Sequence, residues 1–353
     1  MRRRSRYKVN KKVFIAVVAV VLILALALGI LWWQRPDLVR EGAAWLSALF
    51  KKDTDNGDYP LLRGEGELRV HFIDVGQGDC IFIEFPDGKT MLIDAGNANN
   101  SSEYKNAMLA YLDARLDSEL TYVMLTHGDS DHCYFLDDVI LEYDVSQIFM
   151  PNILSTKADA AIDAEKLAFF TDPHTIDTNV YADFFNAALL EEGAQITLNI
   201  GVITIETEYY RLKFYCPTQQ YWDDNNLASA EAKNAVSPIG ILEYNGYKTV
   251  LTGDSNEINE PLFMDNFSSP IDCDVLKVGH HGSESSSTPA FLDYITCEYA
   301  VISANSAGNS YGHPREDLLN RLTERNMTVY RTDLNGNIML TITQTDIFFY
   351  TSA

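Results

Sequence analysis

The sequence has few cysteines, and they are not arranged in pairs. The 353 residues include five cysteines, an odd number with no paired spacing, which argues against a disulfide framework. The cysteines are Cys80, Cys133, Cys216, Cys273 and Cys297. No short internal repeat is visible either.

Positive charge is also scarce. The chain has 27 Lys and Arg against 50 Asp and Glu, a formal net charge of −23. Because seven of the basic residues lie in residues 1–12, the remainder carries a formal charge of about −30. Such a field repels polyanions at low salt, so it argues against long nucleic acid held along a basic surface.

The first 33 residues differ in composition from the rest of the chain. After the basic residues 1–12 comes an uncharged apolar run over 13–33, long enough to cross a bilayer core of roughly 30 Å. A cleavable signal peptide is the alternative, but the run is too long and no small-residue cleavage site follows. We therefore expect a cytoplasmic tail at 1–12, one transmembrane helix at 13–33, and everything later outside the cell.

Beyond a polar linker over 34–66, the segment 67–353 is predicted to be one folded domain of the α/β class. Short strands and tight turns come first, then helices, and the same order returns in the second half. Two such halves predict two sheets packed face to face, with helices outside. Helices are expected over 133–142 and 256–264, and 155–193 is interpreted as a helical lid or insertion.

One stretch, residues 126–135, has the composition of a metal site. It follows a short apolar strand and holds His127, Asp129, Asp131 and His132 within six residues. Imidazole mixed with carboxylate suits zinc, manganese or iron better than calcium or magnesium. Asp and Ser alone could instead cap the next helix.

A second group of such residues follows two later strands. Asp254 ends the strand over 250–254, and His280 and His281 end the strand over 274–283. Taken alone, Asp254 could cap a helix and the histidines could lie in a solvated loop. Together with the first group they predict one shared site.

The ordered motifs resemble the metallo-β-lactamase superfamily and, within it, the hydrolase-like domain of the ComEC competence proteins. The resemblance covers about residues 67–343. Its motifs are His-Phe-Ile-Asp-Val-Gly-Gln-Gly-Asp (71–79), Leu-Ile-Asp-Ala-Gly (92–96), Thr-His-x-Asp-x-Asp-His (126–132), Leu-Thr-Gly-Asp (251–254), Leu-Lys-Val-Gly-His-His-Gly-Ser (276–283) and Tyr-Gly-His-Pro (311–314). It implies an αββα sandwich with two divalent metal ions, zinc or manganese, at one edge of the sheets.

The resemblance also implies metal ligands. His127 and Asp129 would bind the first metal, Asp131 and His132 the second, and Asp254 would bridge them. One of His280 and His281 would complete the second site. We favour His281, but the sequence leaves both open.

Other residues are expected to act on the substrate or to support the ligands. Asp131, His280 and His313 are the candidate catalytic residues, although His313 could equally cap the following helix. The residues expected to hold the ligand loops through hydrogen bonds are Asp74, Asp79, Asp94, Asn234 and Ser237.

Two departures from the family pattern bear on the site. The bulky Cys133, Tyr134 and Phe135 stand where small residues are usual, and bulk beside the metals would change what can bind. Asn234 stands where a histidine is common, so the first metal is expected to be the weaker site.

The expected function is a membrane-anchored, extracellular, metal-dependent phosphodiesterase or nuclease of the competence type, acting on DNA or a cell-wall polymer. If it acts in DNA uptake, a separate protein must form the channel. One alternative is a phosphorylcholine or teichoic-acid esterase of the cell wall, which the run 222–225 faintly resembles. Another is an inactive binding module tethered to the membrane.

Overall fold

The computed structural model describes residues 63–171, 173–224, 227, 229–305 and 309–353. The predicted tail at 1–12, the predicted anchor at 13–33 and nearly all of the linker lie outside the described residues. Within the described residues, no helix combines the length and apolar character needed to cross a bilayer.

The strands are short and mostly buried. In chain order they are β1 (Leu68–Phe72), β2 (Cys80–Glu84), β3 (Thr90–Ala95), β4 (Glu119–Met124), β5 (Asp144–Met150), β6 (Ile153–Ser155), β7 (His174–Ile176), β8 (Gln195–Leu198), β9 (Val202–Glu206), β10 (Tyr210–Tyr215), β11 (Ile239–Tyr244), β12 (Tyr247–Leu251), β13 (Ile271–Asp272), β14 (Val275–Lys277), β15 (Ile295–Thr296), β16 (Tyr299–Ile302), β17 (Thr328–Arg331), β18 (Ile338–Ile342) and β19 (Ile347–Thr351).

The helices connect these strands. They are α1 (Ser102–Asp113), α2 (Ser130–Cys133), α3 (Leu136–Glu142), α4 (Ala164–Leu167), α5 (Asn179–Leu190), α6 (Gln219–Asp224), α7 (Ala230–Asn234), α8 (Glu260–Met264), α9 (Pro289–Tyr294), α10 (Glu316–Glu324) and α11 (Thr332–Asn335). A 3₁₀ turn spans Gly279–Gly282.

Two mixed sheets form the centre of the domain. The first has the order β19-β18-β1-β2-β3-β4-β5-β8, and the second has the order β17-β16-β14-β12-β11-β10-β9. In the first sheet the pairs from β3 to β8 are parallel, and in the second the pairs from β12 to β17 are parallel. Parallel strands end at one edge, so the loops after β3, β4, β12 and β14 can meet there.

Alternation along the strands builds the layers. On β2, Ile81 and Ile83 face a core shared with the second sheet, whereas Phe82 faces the core under α1, α3 and α5. On the second sheet, Leu251 faces the shared core and Val250 faces the core under α8, α9 and α10. Side chains on successive strand residues point to opposite faces, so both sheets are buried on both sides. The layers are helix, sheet, sheet, helix, as expected.

Three expected elements differ from the structure. The helix expected over 133–142 is broken at Phe135, whose backbone N–H donates to the Ala95 carbonyl oxygen at 2.7 Å. The helix expected over 256–264 is confined to α8. The 155–193 segment is only partly helical, because β7 pairs with β6 as a small separate sheet ahead of α5.

Candidate metal centre

The loop after β4 is fixed by one carboxylate on the neighbouring strand. Asp94, on β3, accepts hydrogen bonds from the backbone N–H and the hydroxyl of Thr126, both at 2.8 Å. It also accepts from His132 Nδ1 at 2.7 Å. A histidine that donates through Nδ1 presents Nε2 as a ligand, so Asp94 sets both the position and the tautomer of His132.

Asp254 joins the two halves of the site. Its Oδ1 lies 3.1 Å from His132 Nε2 and 3.6 Å from His281 Nε2. Its Oδ2 lies 3.8 Å from His127 Nε2 and 3.6 Å from His280 Nε2. His127 and His132 from the first half of the sequence therefore meet His280 and His281 from the second half at a single buried carboxylate.

Three overlapping groups have ligand atoms within 4.8 Å of one another. They are His127–His132–Asp254, Asp131–His132–His281 and Asp79–Asp254–His281. A fourth such group, Asp79–Asp94–His132, shares His132 with the first two. The second group contains the ligands predicted for the second metal. Asp129 lies at the margin of the first group, with Oδ2 3.9 Å from His127 Nε2 and a side chain 40% exposed.

Several ligand atoms in these groups are buried without a hydrogen-bond partner among the described residues, as expected at a cation site. His127 Nε2, His132 Nε2, His281 Nε2 and Asp254 Oδ1 are buried and have no hydrogen-bond partner within the part of the chain that is described. Buried polar atoms are normally paired, and imidazole with carboxylate is a donor set for transition metals. The residues present therefore fit a divalent metal ion.

Electrostatics supports the same reading. Burial lowers the pKa of His132, but Asp254 and Asp94 outweigh burial and hold the pKa well above its ordinary value. Burial raises the pKa of Asp131, yet His281 and His132 bring it down to about 2. The carboxylates therefore favour positive charge on His132, and the histidines favour the ionised form of Asp131.

Backbone and hydroxyl groups hold the remaining ligands. His281 Nδ1 donates to the Ser303 carbonyl oxygen at 2.9 Å, which directs its Nε2 toward Asp254. Ser237 Oγ lies 3.3 Å from His127 Nδ1 and accepts from the backbone N–H of Asp254 at 3.2 Å. Ser237 thus contacts a ligand from each half.

The other predicted supporting residues are placed as follows. Asn234 Nδ2 lies 3.2 Å from His280 Nε2, so the residue at the usual histidine position contacts His280. The backbone N–H of Asp79 donates to the Asp131 carbonyl oxygen at 2.9 Å. The Asp74 carboxylate accepts from the Gly76 N–H at 2.9 Å and so supports the loop that leads to Asp79, without contacting a predicted ligand in that bond.

Close backbone packing explains one motif glycine. A Cβ on Gly96 would lie 2.1 Å from the Asp131 carbonyl carbon and 2.2 Å from the His132 backbone nitrogen. Only a residue without a side chain lets β3 approach α2 this closely. Gly96 therefore brings Asp131 and His132 against the end of the sheet.

His280 lies on the more accessible side of the site, and the buried His313 packs against it. The His280 side chain is 25% exposed, and its ring lies edge-on to His313 with centroids 5.2 Å apart. Burial and the neighbouring His280 lower the pKa of His313 to about 4, so it is neutral at pH 7. Tyr311, 53% exposed, stacks on His313 at 6.1 Å.

The expectation of bulk beside the metals needs correction. Cys133 and Phe135 are fully buried in the core under the outer helices, and Tyr134 packs against the same core. Trp222, which suggested a choline esterase, is likewise 1% exposed within that core. Cys133, Tyr134 and Phe135 lie in this layer because α2 and α3 turn their apolar faces inward, and Trp222 reaches the same core from α6.

Sequence reasoning missed Lys277. Its Nζ lies 2.8 Å from Asp79 Oδ2, and the side chain is fully buried. The signal was available, since a lysine interrupts an otherwise apolar strand immediately before the His280–His281 pair. A lysine is seldom fully buried without an ionic partner.

Residues 73–197 match the model of the metallo-beta-lactamase superfamily. Together with the mixed sheets and the His/Asp groups, this match shows that the chain carries a metallo-β-lactamase domain, a class that generally comprises metal-dependent hydrolases.

The chain is similar to competence proteins. It is 30% identical to ComE operon protein 3 of Bacillus subtilis (strain 168) over 79% of this chain and 33% of that protein. It is 32% identical to Competence protein ComA of Neisseria gonorrhoeae over 39% of this chain and 21% of that protein. The chain thus spans about a third or less of the length of these relatives. Among solved structures, the metallo-β-lactamase fold protein YhfI of Bacillus subtilis aligns with a TM-score of 0.42 and 10% identity, covering 80% of this chain and 99% of that one.

Proposed function

We propose that this chain is a membrane-anchored, extracellular, metal-dependent phosphodiesterase of the competence type. The observation that carries the proposal is the position of Asp254, whose two oxygens face two groups of histidines. A carboxylate shared in this way suits a bridge between two divalent cations, for which we propose zinc or manganese.

Two such ions would supply an activated water and would stabilise charge on a phosphoryl oxygen. The chain's own residues supply the geometry. Asp94, Ser303 and Ser237 hold His132, His281 and His127 in the orientations that direct their free nitrogens inward.

His280 and His313 are proposed to bind the substrate. Burial lowers the pKa of His280 as well as that of His313, so a neutral, partly exposed imidazole lies in front of a second, buried one. His313 Nδ1 is buried without a hydrogen-bond partner among the described residues, and in the tautomer protonated there it can donate to a phosphate or leaving-group oxygen. Because neither ring is charged, they can orient a phosphate through hydrogen bonds without adding positive charge to the site.

The proposed location comes from residues 1–33. A basic tail followed by an apolar run predicts a cytoplasmic N-terminus and an external domain. Protease added to intact, wall-stripped cells should digest the domain. Protection until the membrane is broken would overturn the proposed orientation.

The negative charge of the chain limits which substrates can approach the site. A formal charge of about −30 outside the tail opposes the approach of a long polyanion, and attraction must come from the metal centre at short range. A cell-wall ester with one phosphate is therefore the second candidate. If DNA is the substrate, its transport needs a separate channel protein.

The deciding experiment uses the full chain in detergent. Hydrolysis of bis(p-nitrophenyl) phosphate, single-stranded DNA and p-nitrophenyl phosphorylcholine would be followed after chelation and after return of zinc or manganese. His127→Ala should abolish turnover, whereas Asp163→Asn, at an exposed carboxylate on the N-cap of α4, should not.

Metal-dependent cleavage of bis(p-nitrophenyl) phosphate or of single-stranded DNA supports the proposal. Preference for the phosphorylcholine ester would support the cell-wall candidate. Fully metallated protein that cleaves none of the three would indicate a binding module instead.

A further inference from the structure

Two cysteines that are far apart in the sequence lie opposite each other in the fold. In two successive parallel ladders, each residue pairs with the residue 24 positions later: Asp272 with Thr296, and Val275 with Tyr299. Cys273 and Cys297 lie between these pairs in the same register. The Cys273 N–H also donates to the Thr296 carbonyl oxygen at 3.0 Å.

The register fixes the distance between the two residues. Neighbouring strands lie about 4.7 to 4.9 Å apart. A disulfide needs Cα atoms about 4.4 to 6.8 Å apart, so facing residues of two strands fall within its range. Residues paired in register also point to the same face of the ladder.

Side-chain contacts agree with the register. Cys273 belongs to the core between the second sheet and its outer helices, and Cys297 packs against that core from its edge. The two thiols are close enough for Cys273 to raise the pKa of Cys297. Cys297 is partly exposed, whereas Cys80, Cys133 and Cys216 are buried at other places in the fold. Each of these two cysteines therefore has the other as a neighbour, and solvent reaches Cys297.

We propose that Cys273 and Cys297 are a redox-active pair that forms an intrachain disulfide when the domain meets a disulfide oxidant. The proposal is independent of the hydrolytic activity. It adds a modification site where the spacing of the cysteines gave no indication of one.

The chemistry is thiol–disulfide exchange. The Cys297 thiolate attacks one sulfur of the oxidant's disulfide and releases the first thiolate of the oxidant. The Cys273 thiolate then attacks Cys297 Sγ and releases the second. The two cysteines lose two electrons and two protons, and the oxidant is reduced to two thiols.

The surroundings slow this step at neutral pH. The neighbouring Cys273 thiol, then burial, and then the carboxylates Asp274 and Asp272 raise the pKa of Cys297. Because the thiolate is the reactive form, oxidation should accelerate as the pH rises.

The disulfide would act on the segment that carries the second group of ligands. Residues 273–297 include β14, the turn with His280 and His281, and α9. Linking the ends of this segment restricts it in the unfolded chain and fixes the base of the turn in the folded one. An oxidising environment outside the cell would keep the bond formed.

The test uses the full chain in detergent, reduced and then incubated with oxidised glutathione at about pH 8.5, near the ordinary thiol pKa. Intact mass should fall by about 2 Da as two thiols become one disulfide, and digestion should yield one peptide pair joined through Cys273 and Cys297. Thiol titration after denaturation should show that two of the five cysteines have been consumed. The midpoint of thermal unfolding should rise by about 5 °C on oxidation.

The variants provide the controls. Cys273→Ser and Cys297→Ser should lose both the mass change and the thermal shift, whereas Cys216→Ser, at a buried cysteine on the other side of the same sheet, should keep both. A wild-type chain that retains five free thiols, or that forms only glutathione adducts, would overturn the proposal. This wild-type result does not depend on the folding of any variant.

Discussion

Lys277 Nζ lies 2.8 Å from Asp79 Oδ2, and the two side chains are 0% and 1% exposed. Lys277 ends β14 in the second sheet, and Asp79 lies in the loop before β2 in the first. Asp79 Oδ1 is also 3.6 Å from His281 Nδ1. Burial raises the pKa of Asp79, but Lys277 and His281 outweigh burial and hold it below the ordinary value. This pair links the two sheets directly beneath the metal centre.

Lys277→Met should destabilise the domain strongly, because it leaves the Asp79 carboxylate buried without its cation. Breaking one partner of a buried pair costs about 3 to 5 kcal/mol. Unfolding by urea, followed by circular dichroism, gives the change in the free energy of unfolding.

The controls separate the lost pair from the lost side chain. Lys277→Met combined with Asp79→Asn should recover part of the loss, because no unpaired charge remains. Arg211→Ala removes exposed ion pairs with Glu206 and Glu243, and it should change the free energy of unfolding far less, because water screens exposed pairs. If Lys277→Met costs no more than Arg211→Ala, the buried pair does not stabilise the fold.

Glu260 should make stability fall as the pH rises from about 4.5 to about 7. Burial raises its pKa from 4.5 to about 7, although the N–H groups of Ser287 and Thr288 donate to its carboxylate. In this window the folded chain keeps a proton that the unfolded chain has lost, so folding weakens as the pH rises, by about 3 kcal/mol in all. The free energy of unfolding would be measured at several pH values in wild type and Glu260→Gln.

The variant lacks the titrating group, so the wild-type curve should fall relative to the variant curve across the window and run parallel to it above about pH 7. Glu257→Gln, at an exposed position three residues earlier, should follow the wild-type curve. Parallel curves for wild type and Glu260→Gln throughout would contradict the assignment.

Asp94→Asn should weaken metal binding without unfolding the chain. An amide cannot accept from Thr126 and His132 through both of its terminal atoms, so His132 loses its fixed tautomer. Groups that orient a ligand in this way typically account for about 10- to 100-fold in metal affinity. Competition with a chromogenic zinc chelator measures that affinity.

Asp274→Asn is the matched control, because Asp274 also accepts a backbone N–H, that of Lys248 at 2.7 Å, away from the ligands. Equal zinc affinity in the two variants would show that Asp94 does not position His132.

Activity on long DNA should fall as salt is lowered, the reverse of a basic nuclease. Proteins that hold DNA through Lys and Arg bind more tightly at low salt, whereas a formal charge of about −30 opposes approach when screening is weak. Initial rates would be compared between about 20 and 200 mM salt for single-stranded DNA, duplex DNA and a small diester. The diester should show little trend. DNA cleavage that strengthens at low salt would point to a basic track on the surface.

Much of the fold could be predicted from local patterns. Strands such as β2 and β3 are apolar on both faces and bounded by turn residues, and the ligand motifs follow them directly. The break between α2 and α3 could not be predicted, because it depends on a hydrogen bond from Phe135 to the distant Ala95. The strand β7 is only three residues long, too short for alternation to show.

The site was predictable where it depends on residue type and much less where it depends on distance. His127, Asp131, His132 and Asp254 could be named as candidate ligands from the resemblance, since their motifs follow strands, whereas the sequence left His280 and His281 open. The ion pair of Lys277 with Asp79 joins residues 198 positions apart. No spacing rule connects such positions, and only the packing of the two sheets brings them together.

The metal content of the full chain, purified without chelator, tests the central claim most directly. Elemental analysis should find about two equivalents of zinc, manganese and iron combined, the number that a two-metal site holds. Asp254→Asn should lose most of this metal while its circular dichroism remains that of a folded chain. Less than about half an equivalent in the wild-type protein would contradict a metal centre built around Asp254.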